Sequence, residues 1–238
     1  MLPARPAPPP TRPVTTMPLV TTMRLVTRVR PVMTAVGFDL DMTLIDSRPG
    51  IRAAYQALTA RTGVHVDADL AVSRLGPPLR RELSQWFPDD QLEAAVTSYR
   101  ALYAEYAIEP TVPMPGAREA LAAVRALGFR VVIITSKLGR LAHLHLDHLG
   151  LKADEVAGDV FAEGKGAAIV EHGVRWFVGD HEGDMIAART AEVPGVGVAT
   201  GPCTTDELRA AGAAYTLGDL TGFPALLREI AVGSGPAA

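Results

Sequence analysis

The sequence predicts an α/β protein: a doubly wound parallel sheet with a small helical domain inserted after the first strand. Two observations lead to this prediction. Short apolar runs alternate with single amphipathic helices along most of the chain, which is typical of parallel strands joined by right-handed crossovers. Residues 50–112 interrupt the alternation, because they carry helical patterns and no convincing strand. A chain of 238 residues can accommodate one domain plus a small accessory one.

Residues 1–33 differ from the rest of the chain in composition. They contain five arginines, many prolines and no acidic residue, and no uninterrupted apolar stretch follows the arginines. A secretory signal therefore fits poorly, whereas an organelle transit peptide and an upstream start codon both stay open. We expect a disordered extension, with Met33 as a plausible natural start.

The first strand is predicted at 35–38, where a short apolar run ends at an acidic loop. Three prolines, Pro110, Pro113 and Pro115, then mark a connection that follows the helical block. The expected core therefore comprises 34–49 and 113–232, with 50–112 as a helical cap. Within the cap, apolar residues at helical spacing predict helices at 50–62, 79–87 and 90–108.

The alternation of strands and helices resumes after the prolines, and glycines end several of the helices. The predicted strands are 130–134, a weak one near 156–161, 174–178, 196–198 and a short edge strand at 214–216. The predicted helices are 117–127, 138–149, 164–172, 183–191, 204–211 and 222–231. Residues 233–238 should form a loose tail.

Polar side chains that follow the predicted strands are candidate site residues, because ligands of open α/β sheets bind beyond the carboxyl ends of the strands. Carboxylates, hydroxyls and one lysine are thus expected to converge on one edge of the sheet. They are Asp39, Asp41 and Thr43 after the first strand, Thr135 and Ser136 after the second, Asp180 and Asp184 after the 174–178 strand, and Lys165 at the start of the helix that precedes the 174–178 strand.

This order of residues resembles that of the haloacid dehalogenase-like superfamily, in its phosphoglycolate phosphatase-like branch with a helical cap. The similarity covers about residues 34–230 and rests on four motifs in sequence. The motifs are Asp-x-Asp-x-Thr at Asp39, Asp41 and Thr43, a hydroxyl at Thr135, a lysine at Lys165, and Gly-Asp-x-x-x-Asp at Gly179, Asp180 and Asp184. Each motif alone is weak, whereas all four in order form a specific pattern.

The resemblance implies a magnesium-dependent phosphatase that hydrolyses a small-molecule phosphomonoester through an aspartyl-phosphate intermediate. Asp39 would be the nucleophile, and Asp41 would protonate the leaving alcohol and then deprotonate the attacking water. Thr135 and Lys165 would hold the phosphoryl oxygens. The implied Mg²⁺ ligands are Asp39, Asp180 and the backbone carbonyl of Asp41, with Asp184 completing or supporting the metal site.

Further candidate contacts are expected to bind the substrate. Thr43, Ser136 and Lys137 lie in or beside the motifs, and the sequence leaves open whether Lys165 or Lys137 is the main lysine on the phosphoryl group. In the cap, Arg74–Arg81 resembles the substrate-specificity loop of the family. Arg74, Arg80 or Arg81 could therefore meet an acidic group on the substrate, or each could simply be a solvated helix-flanking residue.

The histidines give no pattern for a zinc site. His145 and His148 share a helix face that His143 does not, and we expect these three to lie at the surface or towards the cap. His181, inside the fourth motif, could reach the substrate or merely begin a helix.

Asp41 favours phosphate chemistry, because dehalogenating members of the family lack this second aspartate. Two alternatives stay open. A phosphomutase of the β-phosphoglucomutase type shares every catalytic residue, and a non-catalytic member would use the site only to bind a ligand or a partner.

Composition limits the partners of the protein. The net charge of −3 argues against charge-driven binding of nucleic acid, and the longest apolar runs are far shorter than the roughly 20 residues of a membrane span. The single cysteine, Cys203, suits a reducing cytoplasm. We expect a cytoplasmic monomer or homodimer that binds Mg²⁺ and a small phosphorylated metabolite.

Overall fold

A computed structural model describes residues 34–75 and 78–233. The expected N-terminal extension, 1–33, lies outside the described residues, as do 76–77 and 234–238. The strands, in chain order, are β1 (Ala35–Phe38), β2 (Ile45–Asp46), β3 (Val112–Pro113), β4 (Arg130–Ile134), β5 (Glu155–Ala157), β6 (Val174–Gly179), β7 (Gly195–Val198) and β8 (Tyr215–Leu217).

The helices account for most of the remaining described residues. In chain order they are α1 (Arg48–Thr62), α2 (Ala68–Ser73), α3 (Leu79–Leu83), α4 (Asp89–Tyr106), α5 (Ala117–Ala126), α6 (Gly139–Leu149), α7 (Ala162–Glu171), α8 (Glu182–Thr190), α9 (Thr205–Ala210) and α10 (Phe223–Gly233), with a short 3₁₀ turn at Leu220–Gly222. Among these, none is long and apolar enough to cross a bilayer.

Six strands form one parallel sheet in the spatial order β5-β4-β1-β6-β7-β8. The chain leaves β1 towards β4 on one side and later returns to β6 on the other. The strand order therefore reverses beside β1, where α/β sheets bind their ligands. The predicted fold class, α/β with a doubly wound parallel sheet, is confirmed.

The central strands are buried on both faces, so their apolar residues are nearly continuous. On one face Val36, Phe38 and Ile133 pack with apolar residues of α5 and α10. On the other face Val132 and Ile134 pack with residues of α7 and α8. Helices on both faces leave the carboxyl edge of the sheet as the place for polar side chains.

Helices α1 to α4 form a separate apolar cluster, which we call the helical block. Its buried residues include Leu58 from α1, Leu83 from α3 and Val96 from α4. The strands β2 and β3 pair in antiparallel fashion where the chain leaves the core and returns to it. Beside them Gly50 lies against Ala107, because a Cβ on Gly50 would lie 2.1 Å from the carbonyl oxygen of Ala107.

Several elements differ from the sequence-based expectation in length. The strand expected near 156–161 ends at Ala157, because Gly158 packs against Gly139 and Asp159 adopts a left-handed φ of 61°. The helix α2 was not predicted; its N-cap Asp67 accepts a hydrogen bond from the Leu70 amide. Of the expected C-terminal tail, 233–238, only Gly233 lies within the described residues, and it belongs to α10.

Candidate active site

A tight loop after β1 carries the first two candidate carboxylates. The Asp39 amide continues the sheet by donating to the carbonyl of Val178 at 2.9 Å. The chain then turns through Met42, whose φ of 61° is uncommon for a residue with a side chain. The Met42 amide donates to Ile45, and Thr200 donates to the Met42 carbonyl at 2.6 Å. These bonds hold a strained loop that presents Asp39 and Asp41 on one side of the sheet edge.

Lys165 joins two buried carboxylates. It lies in the first turn of α7, and its Nζ donates to Asp39 Oδ1 at 3.0 Å and to Asp184 Oδ1 at 2.7 Å. The Lys165 side chain is 10% exposed, so both ion pairs are largely shielded from water. The only other lysine near it in sequence, Lys152, is exposed. The geometry therefore places Lys165, rather than Lys152, beside the candidate nucleophile.

The fourth motif places Asp180 and Asp184 at the end of β6 and the start of α8. Gly179 permits this arrangement, because a Cβ there would lie 2.4 Å from the Asp184 side chain. Asp184 Oδ2 also accepts the amide of His181, which caps α8. Asp180 Oδ1 accepts a hydrogen bond from the fully buried hydroxyl of Thr43 at 2.6 Å. Thr43 thus positions Asp180 in the structure.

Three carboxylates, those of Asp39, Asp180 and Asp184, each offer one oxygen within 4.8 Å of the others. Burial, partly opposed by Lys165, raises the pKa of Asp39 to about 7. Burial and the charges of Asp39 and Asp184 raise the pKa of Asp180 well above its usual value. A second cation would relieve this repulsion, and an all-oxygen donor set suits Mg²⁺. The residues present therefore fit a divalent metal ion.

Gly201 gives a direct test of how Asp180 is placed. A Cβ at this position would lie 1.8 Å from Asp180 Oδ2, so Gly201→Ala should push the carboxylate out of its position. We expect Gly201→Ala to bind Mg²⁺ much more weakly than the unchanged protein, measured by calorimetric titration with Mg²⁺.

The matched control is Gly218→Ala, because no atom lies within 4 Å of a Cβ built there. This variant should bind Mg²⁺ as the unchanged protein does. Equal Mg²⁺ affinities in the two variants would show that the position of Asp180 does not matter for the metal.

Asp41 has partners of its own, separate from those of Asp39. Its Oδ1 accepts hydrogen bonds from Ser47 Oγ at 2.5 Å and from Lys137 Nζ at 2.8 Å. Burial acts to raise the pKa of Asp41, but Lys137 and Ser47 outweigh burial and hold it below its usual value. The two lysines that the sequence left as rivals therefore serve different aspartates in the structure.

The hydroxyls after β4 take two positions. Thr135 is buried, and its Oγ1 accepts the Lys137 amide at 3.2 Å. Ser136 is exposed and lines the cavity described next. Both lie on the loop that follows a strand adjacent to β1, as the sequence predicts for residues that approach a phosphoryl group.

A cavity of about 520 Å³ lies between the helical block and the sheet edge. Asp39, Asp41, Lys165 and Asp180 form its polar floor, and the walls are largely apolar and aromatic. Residues of the helical block that line the walls include Ile51, Tyr55, Leu75, Leu79, Tyr99 and Tyr103. The volume lies within the range of pockets that enclose drug-sized ligands, about 300–1,000 Å³.

Of the three arginines considered as substrate contacts, Arg74 and Arg80 line this cavity and Arg81 does not. Both Arg74 and Arg80 have acidic partners. Arg74 donates to Glu82 at 2.6 Å, and the buried Glu82 also accepts from Gln85 and Trp86. Arg80 forms an ion pair with Glu93, and its side chain is 61% exposed. An acidic group on a substrate would have to compete with these partners.

Sequence reasoning missed several residues that contact the site. Ser47 lies only six positions after Asp41, and a hydroxyl at the start of a predicted helix was an available signal. Tyr103 and His145 gave no such signal, because Tyr103 reaches Lys137, and His145 reaches Tyr103, from distant elements. His145 is fully buried against the helical block. His181 lines the cavity as well as capping α8.

Comparisons with known proteins agree with this geometry. The family model for haloacid dehalogenase-like hydrolases matches residues 36–192. A protein named probable phosphatase IndB from Dickeya dadantii is 31% identical over 196 residues, covering 74% of this chain and 85% of the relative. A phosphoglycolate phosphatase from Neisseria gonorrhoeae is 31% identical over 190 residues, covering 70% of this chain and 80% of the relative.

The solved structures show the same fold. A haloacid dehalogenase-like family hydrolase from Streptococcus pneumoniae matches with a TM-score of 0.71 at 23% identity, covering 83% of this chain and 98% of that one. The chain belongs to the haloacid dehalogenase-like hydrolase family. The resemblance drawn from the four motifs is confirmed, and so is the prediction of an enzyme. The names of the two relatives agree with the predicted enzyme class.

Proposed function

We propose that the protein is a Mg²⁺-dependent phosphatase that hydrolyses a small-molecule phosphomonoester through an aspartyl-phosphate on Asp39. One observation carries this proposal: Asp39, Asp180 and Asp184 bring oxygens within 4.8 Å of one another, and Lys165 binds two of them. Relatives named as phosphatases, one of them a phosphoglycolate phosphatase, support it.

Each residue has a distinct task in the proposed reaction. Asp39 forms a bond to phosphorus while the ester P–O bond breaks. The leaving oxygen takes a proton from Asp41, whose pKa is low in the free protein and would be raised by the negative charge of a bound phosphate. Asp41 then accepts a proton from the water that cleaves the aspartyl-phosphate. Lys165 and Thr135 hold the phosphoryl oxygens as their charge changes, with Ser136 at the cavity wall.

The metal ligands in this proposal are Asp39, Asp180 and the backbone carbonyl of Asp41. Mg²⁺ bound there would offset the repulsion between a phosphate dianion and the carboxylate nucleophile. Asp184 accepts from Lys165 with Oδ1 and from the His181 amide with Oδ2, so we assign it to orienting Lys165 and to supporting the metal site beside Asp39 and Asp180. Thr43 orients Asp180 in the same way.

The helical block acts as a cap in this proposal. It supplies most of the apolar wall of the cavity, and by closing over the site it would exclude bulk water while the phosphoryl group is transferred to Asp39. The free Cys203 is consistent with a reducing cytoplasm. The expectation of a monomer or homodimer stays a prediction.

A panel of phosphomonoesters with and without Mg²⁺ tests the proposal. Release of inorganic phosphate that requires Mg²⁺ is the expected result. An isomerised sugar phosphate without phosphate release would instead establish a mutase. Folded protein that converts none of a broad panel in the presence of Mg²⁺ would favour a non-catalytic, ligand-binding role.

Mg²⁺ should also stabilise the protein, because it would reduce the repulsion between the buried carboxylates of Asp39, Asp180 and Asp184. At a Mg²⁺ concentration 100 times its Kd, binding to the native state adds about 2.7 kcal/mol. We expect the thermal midpoint to rise by several degrees, measured by calorimetry against sodium chloride of equal ionic strength. Asp180→Asn should remove most of the rise; an equal rise in this variant would place the metal elsewhere.

A further inference from the structure

A continuous hydrogen-bonded chain leads from Asp41 into the interface between the core and the helical block. Lys137 Nζ donates to Asp41 Oδ1 at 2.8 Å and to the Tyr103 hydroxyl at 2.7 Å. The Tyr103 hydroxyl lies 3.0 Å from His145 Nε2. Lys137 follows β4, Tyr103 belongs to α4 and His145 to α6, so the chain crosses from core to helical block and back.

The direction of each hydrogen bond follows from what each group can donate. A lysine ammonium only donates, so the Tyr103 oxygen must accept from Lys137. The phenol proton is then directed to His145 Nε2, which accepts it. This fixes the His145 tautomer with its proton on Nδ1, an atom that is buried without a partner among the described residues. Burial, with the charge of Lys137, lowers the pKa of His145 to about 4, which agrees with a neutral ring.

Lys137 is held firmly by this arrangement. Its side chain is 8% exposed, and its ammonium lies 4.7 Å from the centre of the Tyr103 ring as well as against the hydroxyl. Tyr103 is fixed in turn by the adjacent ring of Tyr99, with centroids 5.8 Å apart, and by an edge contact with His145. The ammonium therefore has one defined place, beside Asp41.

The carboxylate of Asp41 is correspondingly oriented. Both of its side-chain partners, Ser47 and Lys137, bind the same oxygen, Oδ1. Within the described part of the chain, Oδ2 has no hydrogen-bond partner. Oδ2 is therefore the oxygen that can exchange a proton with a leaving group or a water molecule in the cavity that Asp41 lines.

We propose that Lys137 is a positioning residue for Asp41, and that Tyr103 and His145 hold its ammonium in place. This inference rests on the proposed function, in which Asp41 is the acid and base. Lys137 transfers no proton; it keeps Oδ1 engaged so that Oδ2 faces the reaction. The acid step then depends on α4 of the helical block being seated against α6, because Tyr103 contacts both Lys137 and His145.

Leaving groups of different basicity test this proposal. An alkyl phosphate needs a proton on its leaving oxygen, whereas para-nitrophenyl phosphate has a weakly basic leaving group that needs little help. Lys137→Met should lower kcat for the best alkyl phosphate of the panel by about 10²-fold, within the range for general acid catalysis. Its kcat for para-nitrophenyl phosphate should fall by less than about tenfold, and KM for either ester should change little.

Tyr103→Phe is the second variant, since it removes only the hydroxyl and keeps the ring packed against Tyr99. We expect the same preference for the aryl ester with a smaller loss. The matched control is Lys152→Met, an exposed lysine whose loss should affect neither ester.

Three results would overturn the inference. Equal losses on both esters would mean that Lys137 serves the phosphoryl group or the fold rather than the acid step. Unchanged kcat on both esters would mean that Lys137 is a bystander. Unchanged protein that hydrolyses neither ester would overturn the proposed function itself, whereas the first two results leave that function intact.

Discussion

Asp39→Asn should abolish turnover and leave the protein folded. The amide cannot form the acyl-phosphate, and removal of a covalent nucleophile lowers kcat by roughly 10⁴–10⁶-fold in well-studied enzymes. The variant should unfold at the same or a higher temperature in the absence of metal, because burial already disfavours the charge on Asp39 and raises its pKa to about 7. Steady-state phosphate release and a thermal unfolding scan measure the two effects.

Asp159→Asn is the matched control for the nucleophile. Asp159 also lines the cavity, and its left-handed φ of 61° is one that asparagine adopts readily. It should keep turnover within a few-fold of the unchanged protein. Retained activity in Asp39→Asn would remove Asp39 from the role of nucleophile, whatever the control shows.

Lys165→Met should both destabilise the protein and inactivate it. The variant leaves Asp39 and Asp184 buried without their shared cation, and breaking a buried ion pair by removing one partner costs about 3–5 kcal/mol. The loss of a positive charge beside the phosphoryl group should lower kcat by roughly 10²–10³-fold. Urea unfolding without metal measures the first effect, and phosphate release at saturating Mg²⁺ measures the second.

Two comparisons isolate the cause of the lost stability. Lys152→Met removes an exposed lysine and should change the free energy of unfolding by less than about 0.5 kcal/mol. Lys165→Met combined with Asp184→Asn should be more stable than Lys165→Met alone, because one of the two unpaired charges is gone. An unchanged urea midpoint in Lys165→Met would show that the ion pairs contribute nothing to the fold.

The sheet and most of its helices follow from the sequence, because buried parallel strands and amphipathic helices have strong periodic signatures. Short elements outside this sheet have weaker signatures. The helix α2 and the paired strands β2 and β3 are examples, since their positions depend on packing across the helical block. The strand at 155–157 was placed too far along the chain, because Gly158 packs against Gly139, a contact no local pattern reveals.

The candidate site, like the fold, is only partly predictable from the sequence. Asp39, Asp180 and Asp184 could be placed together, because strand ends of a parallel sheet meet at one edge. The contact of Lys137 with Asp41 could not be predicted, because the position of Lys137 depends on Tyr103 and His145, which belong to other elements. The acidic partners of Arg74 and Arg80 were missed for the same reason: side chains of adjacent helices meet only after the block folds.

The close contact of Gly50 with Ala107, beside the paired strands β2 and β3, has a consequence for how such an enzyme can diversify. The two ends of the helical block meet at one point. The block therefore joins β2 to β3 across a distance no longer than that spanned by a short hairpin loop. Changing the length of a segment whose ends already meet adds only about 0.6 kcal/mol of closure entropy per doubling. Changes in the sequence and length of the block can therefore alter the cavity wall while the aspartates of the core stay in position.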